Sequence, residues 1–218
     1  MASVTYPTVL AAAQRIRGSV VRTPLLTSAF VDAASGVQAF FKAEHLQRTG
    51  SFKMRGAANA VFSASEAAAA KGFVAHSAGN HGAALAAASQ ARGVPCTIVV
   101  PSDTPVAKVR NIERYGATVE LCEPTQRARA ERAAAAAERM GGATLVHPYD
   151  DAAVIAGQGT LALEVLEELP ECDAILVPTS GGGMLAGIAV SARAVRPQLR
   201  VIAVEPEGKG LGRGSTPV

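Results

Sequence analysis

Three short segments place side chains and backbone where chemistry could use them. In Ser51-Phe52-Lys53-Met54-Arg55-Gly56 a lysine stands beside an aromatic residue, just ahead of a helical pattern. A lysine sheltered from water has a lowered pKa, and its free amine can form a Schiff base with a carbonyl compound. In Ser77-Ala78-Gly79-Asn80-His81-Gly82 a hydroxyl, a carboxamide and backbone donors stand together, a set suited to a carboxylate or phenolate oxygen. His81 adds an imidazole, a candidate base or metal ligand. Its nearest histidine, His76, is five residues back across a turn, which argues against a metal pair. In Pro178-Thr179-Ser180-Gly181-Gly182-Gly183-Met184 three consecutive glycines precede a helical pattern. Such a run lets the backbone approach an anion, with N–H groups and the helix dipole aimed at it, so a phosphate is the natural guest. The loop has neither the Gly-Lys-Ser/Thr of a nucleotide-binding P-loop nor the GxGxxG spacing of a dinucleotide fold. Taken alone, it suits a tight structural turn equally well.

Taken together, a reactive lysine, a phosphate cup and an asparagine-bearing loop match a cofactor with an aldehyde, a phosphate and a ring hydroxyl. Pyridoxal 5′-phosphate has all three.

The elements around these segments explain how one site could hold them. Short β-rich runs alternate with longer alanine-rich helical stretches, and Gly or Pro marks the joins. The pattern predicts strands at Gln38–Glu44, Phe73–His76, Thr97–Val100, Thr118–Leu121, Thr144–His147, Ala174–Val177 and Val201–Val204. It predicts helices at Thr8–Arg17, after Lys53, and at Ala83–Arg92, Val106–Tyr115, Gln126–Met140, Gly159–Leu169 and Met184–Ala194. Asp103 or Thr104 is expected to cap the helix after Pro105, and Gly116 to stop it. Ala67–Ala70 and Ala133–Ala137 lie in amphipathic windows and read as ordinary helices. Strand, helix, strand at these lengths implies right-handed crossovers and a parallel α/β sheet. Loops at the carboxyl ends of such strands form the ligand crevice.

Composition removes competing classes. No apolar run approaches the length of a membrane span and no charged-then-apolar leader is visible, so a soluble chain and no membrane partner are expected. The 21 basic residues are scattered among 18 acidic ones and aromatics make up only 4%, which argues against nucleic acid. Cys96, Cys122 and Cys172 are odd in number and widely spaced, which suits buried thiols in a reducing cytoplasm.

SFKMRG around Lys53, SAGNHG at Ser77–Gly82, PSDTPVAKVRNIERYGATV from Pro101, HPYDDAAVIAGQGTLALEV from His147 and PTSGGGMLAGIA from Pro178 resemble the serine/threonine dehydratase family of fold-type II pyridoxal-phosphate enzymes. That family includes threonine ammonia-lyases and serine racemases, with a tryptophan synthase β-like architecture. The resemblance implies two lobes of open parallel sheet flanked by helices: residues 1–63 and 143–218 in the large lobe and 64–142 in the small one. It implies that Lys53 carries pyridoxal phosphate, Phe52 packs by its ring, Asn80 bonds the ring hydroxyl, and Gly181, Gly182, Gly183 and Met184 bind the phosphate. Ser77, Asn80 and His81 would hold the carboxylate of a small amino-acid substrate. The implied reaction is β-elimination of L-threonine or L-serine to a 2-oxo acid and ammonia, in a cytoplasmic homodimer.

In related serine racemases a serine, a second acid/base, stands at the position of Ala78. Alanine cannot move a proton, so dehydration is expected ahead of racemisation. Relatives run longer, and their further residues complete the large lobe and face the pyridine nitrogen. The sequence thus reads as C-terminally truncated, with Val201–Val204 an open sheet edge prone to aggregation, and an inert cofactor-binding remnant is the non-enzyme alternative. Some relatives bind a divalent cation through an acidic residue matching Glu205 and an Asp soon after. Lys209-Gly210-Leu211 offers no such Asp, so no metal is expected.

Overall fold

A computed structural model describes residues 3–208. Strands β3 (Phe73–His76), β4 (Cys96–Pro101), β5 (Thr118–Cys122) and β6 (Thr144–Leu145) form one parallel sheet in the order β5-β4-β3-β6. Phe73, Val74, Ala75, Ile98, Val99 and Val100 are fully enclosed. Strands covered on both faces read as unbroken apolar runs, and β3 and β4 do. The covering helices are α5 (Asn80–Arg92), α6 (Val106–Glu113) and α7 (Gln126–Arg139). Small alanines from α5 and α7 fill the space against the strands.

A second parallel pair, β7 (Ala174–Pro178) and β8 (Arg200–Val204), runs in register from Ala174↔Arg200 to Pro178↔Val204. It is flanked by α8 (Ala152–Glu168) and α9 (Gly183–Val195). Near the start of the chain come α1 (Tyr6–Ile16), an antiparallel pair β1 (Leu25–Thr27) and β2 (Phe40–Lys42), and between those strands α2 (Ala29–Ser35). Two helices complete the set: α3 (Lys53–Ser63) and α4 (Glu66–Lys71).

Local chemistry shifts several expected boundaries. The strand expected over Gln38–Glu44 shortens to β2 and passes into a 3₁₀ turn at Glu44–Leu46. Thr144–His147 pairs only as far as Val146, whose N–H still donates to Val74 O; His147 then turns, its Nδ1 accepting from Asp150 N–H. Helix α8 starts seven residues before the expected Gly159 because Asp151 caps it, Oδ1 accepting from Val154 N–H at 2.9 Å. Neither Asp103 nor Thr104 caps α6, which follows Pro105 with no side-chain cap. The expected irregular tail runs from Glu207; its residues from Lys209 on lie outside the described residues.

Helix α3 is seated on α8 at glycines. A Cβ on Gly157 would lie 2.5 Å from Arg55 O and 2.6 Å from Gly56 Cα, so only glycine permits this approach. Gly159 and Gly187 make the same allowance between α8 and α9. Beside this contact Arg55 is completely enclosed, and each of its N–H donors has an acceptor. Nε and Nη2 donate to Glu44 (2.8 and 2.7 Å), Nη1 and Nη2 to Glu164 (2.6 and 2.9 Å), and Nη1 also to Thr160 Oγ1 (3.4 Å). Lys42 Nζ lies 2.8 Å from Glu164, and Thr23 Oγ1 donates to Glu44. Two cations thus face two carboxylates. Burial by itself would raise the Glu164 carboxyl, yet Arg55 and Lys42 outweigh it and hold the group below its ordinary value.

Replacing Arg55 by Met leaves two buried carboxylates facing one lysine and is expected to cost about 3–5 kcal/mol in urea melts. Because the Glu164 pKa is depressed on folding, its contribution is complete above the ordinary glutamate value of about 4.3 and disappears as pH falls through the lower folded value. Urea midpoints of the parent chain should therefore fall as pH drops below about 4.3, more steeply than those of Glu164→Gln.

Candidate active site

Lys53 is the first residue of α3, and its side chain lies half-buried against the Phe52 ring, Nζ 5.2 Å from the ring centre. Burial lowers the amine to about 8, so about a tenth of it is unprotonated at pH 7, far more than for an exposed lysine. Nζ donates to the carbonyl of Pro148 at 2.6 Å. Phe52 belongs to an apolar cluster with Val177, Ile188 and Met184, which ties the lysine segment to the glycine loop.

That loop leaves β7 at Pro178 and enters α9 at Gly183, with Gly182 as N-cap at φ +84°. A left-handed backbone angle there excludes most side chains. The glycines on either side have a different reason. A Cβ on Gly181 would stand 2.2 Å from the Tyr149 ring, and one on Gly183 would stand 2.5 Å from Tyr149 O. The close approach at these two positions is thus made by Tyr149. The first turn of α9 still directs N–H groups outward without intrahelical acceptors.

The Ser77–Gly82 loop joins β3 to α5. Ser77 Oγ accepts from Gly79 N–H at 3.4 Å, and Asn80 is exposed at the first position of α5. Ala78 packs on the core cluster beside the sheet. His81 points inward: it is 2% exposed, and its Nε2 lies 3.1 Å from Val146 O. A carbonyl only accepts, so Nε2 carries the proton and the buried Nδ1 is left with no partner. Burial lowers the imidazole to about 4, keeping it neutral at working pH. A carboxylate at this loop would therefore meet the N–H groups of the first turn of α5, with the His81 ring beneath.

All three segments touch one stretch of chain, Val146–Tyr149. Val146 O receives His81, Pro148 O receives Lys53, and Tyr149 lies against the glycine loop, its ring 4.5 Å from that of His147. Sequence reasoning gave His147 an ordinary packing or surface role and the other three none. The available signal was position: they directly follow β6, at the carboxyl edge of a parallel sheet. Glu205 follows β8 and is half-buried. Among the described residues no group of three or more His, Cys, Asp or Glu could hold a metal ion, and no helix is long and apolar enough to cross a membrane.

The Tyr149 contact yields a paired test. Gly181→Ala is expected to destabilise the fold by about 1–3 kcal/mol through overpacking, and adding Tyr149→Ala should recover most of that loss. Chemical denaturation of the two single variants and the double variant measures the coupling.

Residues 16–216 match the family model described as "Pyridoxal-phosphate dependent enzyme". The chain is 49% identical over 194 residues to a serine racemase of Arabidopsis thaliana, covering 89% of this chain and 58% of the relative. It is 45% identical over 203 residues to a beta-hydroxyaspartate dehydratase of Paracoccus denitrificans, covering 93% and 64%. The solved structure of maize serine racemase superposes with a TM-score of 0.93 at 40% identity, covering 95% of this chain and 63% of that one. The chain thus spans about 60% of the length of these relatives. Its α/β fold, its parallel sheets with flanking helices and the match over most of its length agree: the chain belongs to the pyridoxal-phosphate dependent enzyme family.

Proposed function

We propose that this chain carries the lysine-bearing part of a pyridoxal-phosphate dependent lyase that dehydrates and deaminates a small β-hydroxy amino acid, L-threonine or L-serine. The observation that carries the reading is the Lys53 amine: half-buried beside Phe52, lowered to about 8 and aimed by Pro148 O. The surroundings fit the cofactor. The first turn of α9 offers N–H groups to a phosphate, Gly182 supplies the turn that presents them, and Gly181 and Met184 border it. Asn80, exposed at the head of α5, offers its carboxamide to the ring hydroxyl.

When bound, pyridoxal phosphate supplies a carbonyl for an amine and a ring that accepts the electron pair of a broken bond. Lys53 would hold the cofactor through Nζ, and the same amine, when free, would take the substrate's α-proton. Ser77, Asn80 and the N–H groups at Asn80 and His81 hold the substrate carboxylate and so fix which α-bond faces Lys53. The β-hydroxyl leaves with a proton as water, and hydrolysis gives a 2-oxo acid and ammonia. Ala78 carries no proton, which favours elimination over racemisation. The similarity to serine racemases supports racemisation as the second reading, recognised by D-serine formation from L-serine.

The chain mixed with pyridoxal phosphate is expected to show an absorbance band at about 410–420 nm that shifts on adding L-threonine, with 2-oxobutanoate appearing. Lys53→Ala should abolish the band. A band retained in that variant removes Lys53 from the role, and D-serine without 2-oxo acid, when L-serine is the substrate, replaces elimination by racemisation.

A further inference from the structure

Lys53 and His81 come from different helices, yet both donate to carbonyls of the same short segment, Pro148 and Val146. That segment is tied upstream by Val146 N–H to Val74 O at 2.9 Å. Downstream, Asp150 N–H donates to His147 Nδ1. Between these ties, the side-chain donors to its carbonyls among the described residues are His81 and Lys53 themselves.

We propose that His81 is a positioning residue for Lys53: its Nε2–H fixes the Val146 carbonyl, which sets the Pro148 carbonyl two residues on and with it the place of the lysine amine. The inference rests on the reading of Lys53 as the reacting amine. A polar ring in this spot is costly, because its Nδ1 is buried without a partner, whereas a phenyl ring would fill similar space with no nitrogen left unpaired but with no donor for Val146 O. The bond to Val146 O is what the imidazole adds. The ring stays neutral, since burial, the charge of Lys53 and the neighbouring His147 and His76 all oppose its protonation. It therefore acts as a fixed donor, and Lys53 is left to exchange the proton.

The test needs no cofactor. The intact chain is treated briefly with acetic anhydride across a pH series, and acetylation of Lys53 is read by peptide mass spectrometry. The parent midpoint is expected at about 8. In His81→Phe the ammonium form loses its aligned acceptor, and the midpoint should fall by about one pH unit. His81→Gln, whose carboxamide N–H reaches about as far as Nε2, should restore the parent midpoint, while the shorter His81→Asn should behave like His81→Phe. An unmoved midpoint in a folded His81→Phe overturns the proposal, as do equal midpoints in the Gln and Asn variants. If circular dichroism shows that His81→Phe does not fold, the Gln and Asn pair decides alone. Failure of the parent chain to bind pyridoxal phosphate would overturn the proposed function and leave this ordering of midpoints intact.

Discussion

An arginine guanidinium enclosed in protein is tolerable only when every donor is met and its charge is balanced, and Arg55 satisfies both demands at once. Glu44 and Glu164 grip it from two sides, Thr160 takes the remaining direction, and Lys42 offsets the second carboxylate. Since Arg55 lies two residues beyond Lys53, these bonds decide where the first turn of α3 begins. The glycine contacts with α8 then fix how closely that turn can lie. The reactive amine thus inherits its position from charge pairing and close packing that it does not share. Burial lowers its pKa, while the neighbouring guanidinium is already paired with its two carboxylates.

Much of the architecture was legible in the sequence, because apolar runs such as Phe73–His76 and Ala174–Val177 are long and pure enough to mark parallel strands, although only the first is buried along its length. The elements that escaped are β1 and α2. The strand is three residues long with Leu26 and Thr27 exposed, and no residue of α2 is buried, so neither imposes a periodic pattern. Helix α8 was seen from Gly159 only, since Gly157 and Gly159 weaken a helical signal; those glycines are contacts between helices.

The candidate site was legible in its parts and illegible in its joins. Residue types announced a reactive lysine, a phosphate loop and a polar loop. The carbonyls of Val146 and Pro148 have no residue-type signature, because every residue has a carbonyl, and their importance arises only when three distant segments converge on them. The glycine loop shows the converse. Its composition suggested anion contact or a tight turn, whereas two of its three glycines are required by an aromatic neighbour thirty-odd residues earlier in the chain.

The two carboxylates around Arg55 arrive at very different times as the chain is made. Glu44 is 11 residues away, whereas Glu164 is 109 residues downstream. The four-stranded sheet occupies the contiguous stretch 73–145, and its strands β3, β4 and β5 pair across single-helix crossovers far shorter than the 109 residues between Arg55 and Glu164, so loop-closure entropy favours their pairing first. Until α8 emerges, α3 has one partner for its guanidinium and no glycine surface to rest on. Helix α5 and the sheet can already hold the other face of α3, so completion of α8 adds the second carboxylate and the glycine contact at its first turn, and it makes assembly of the lysine pocket later than the sheet that forms its wall.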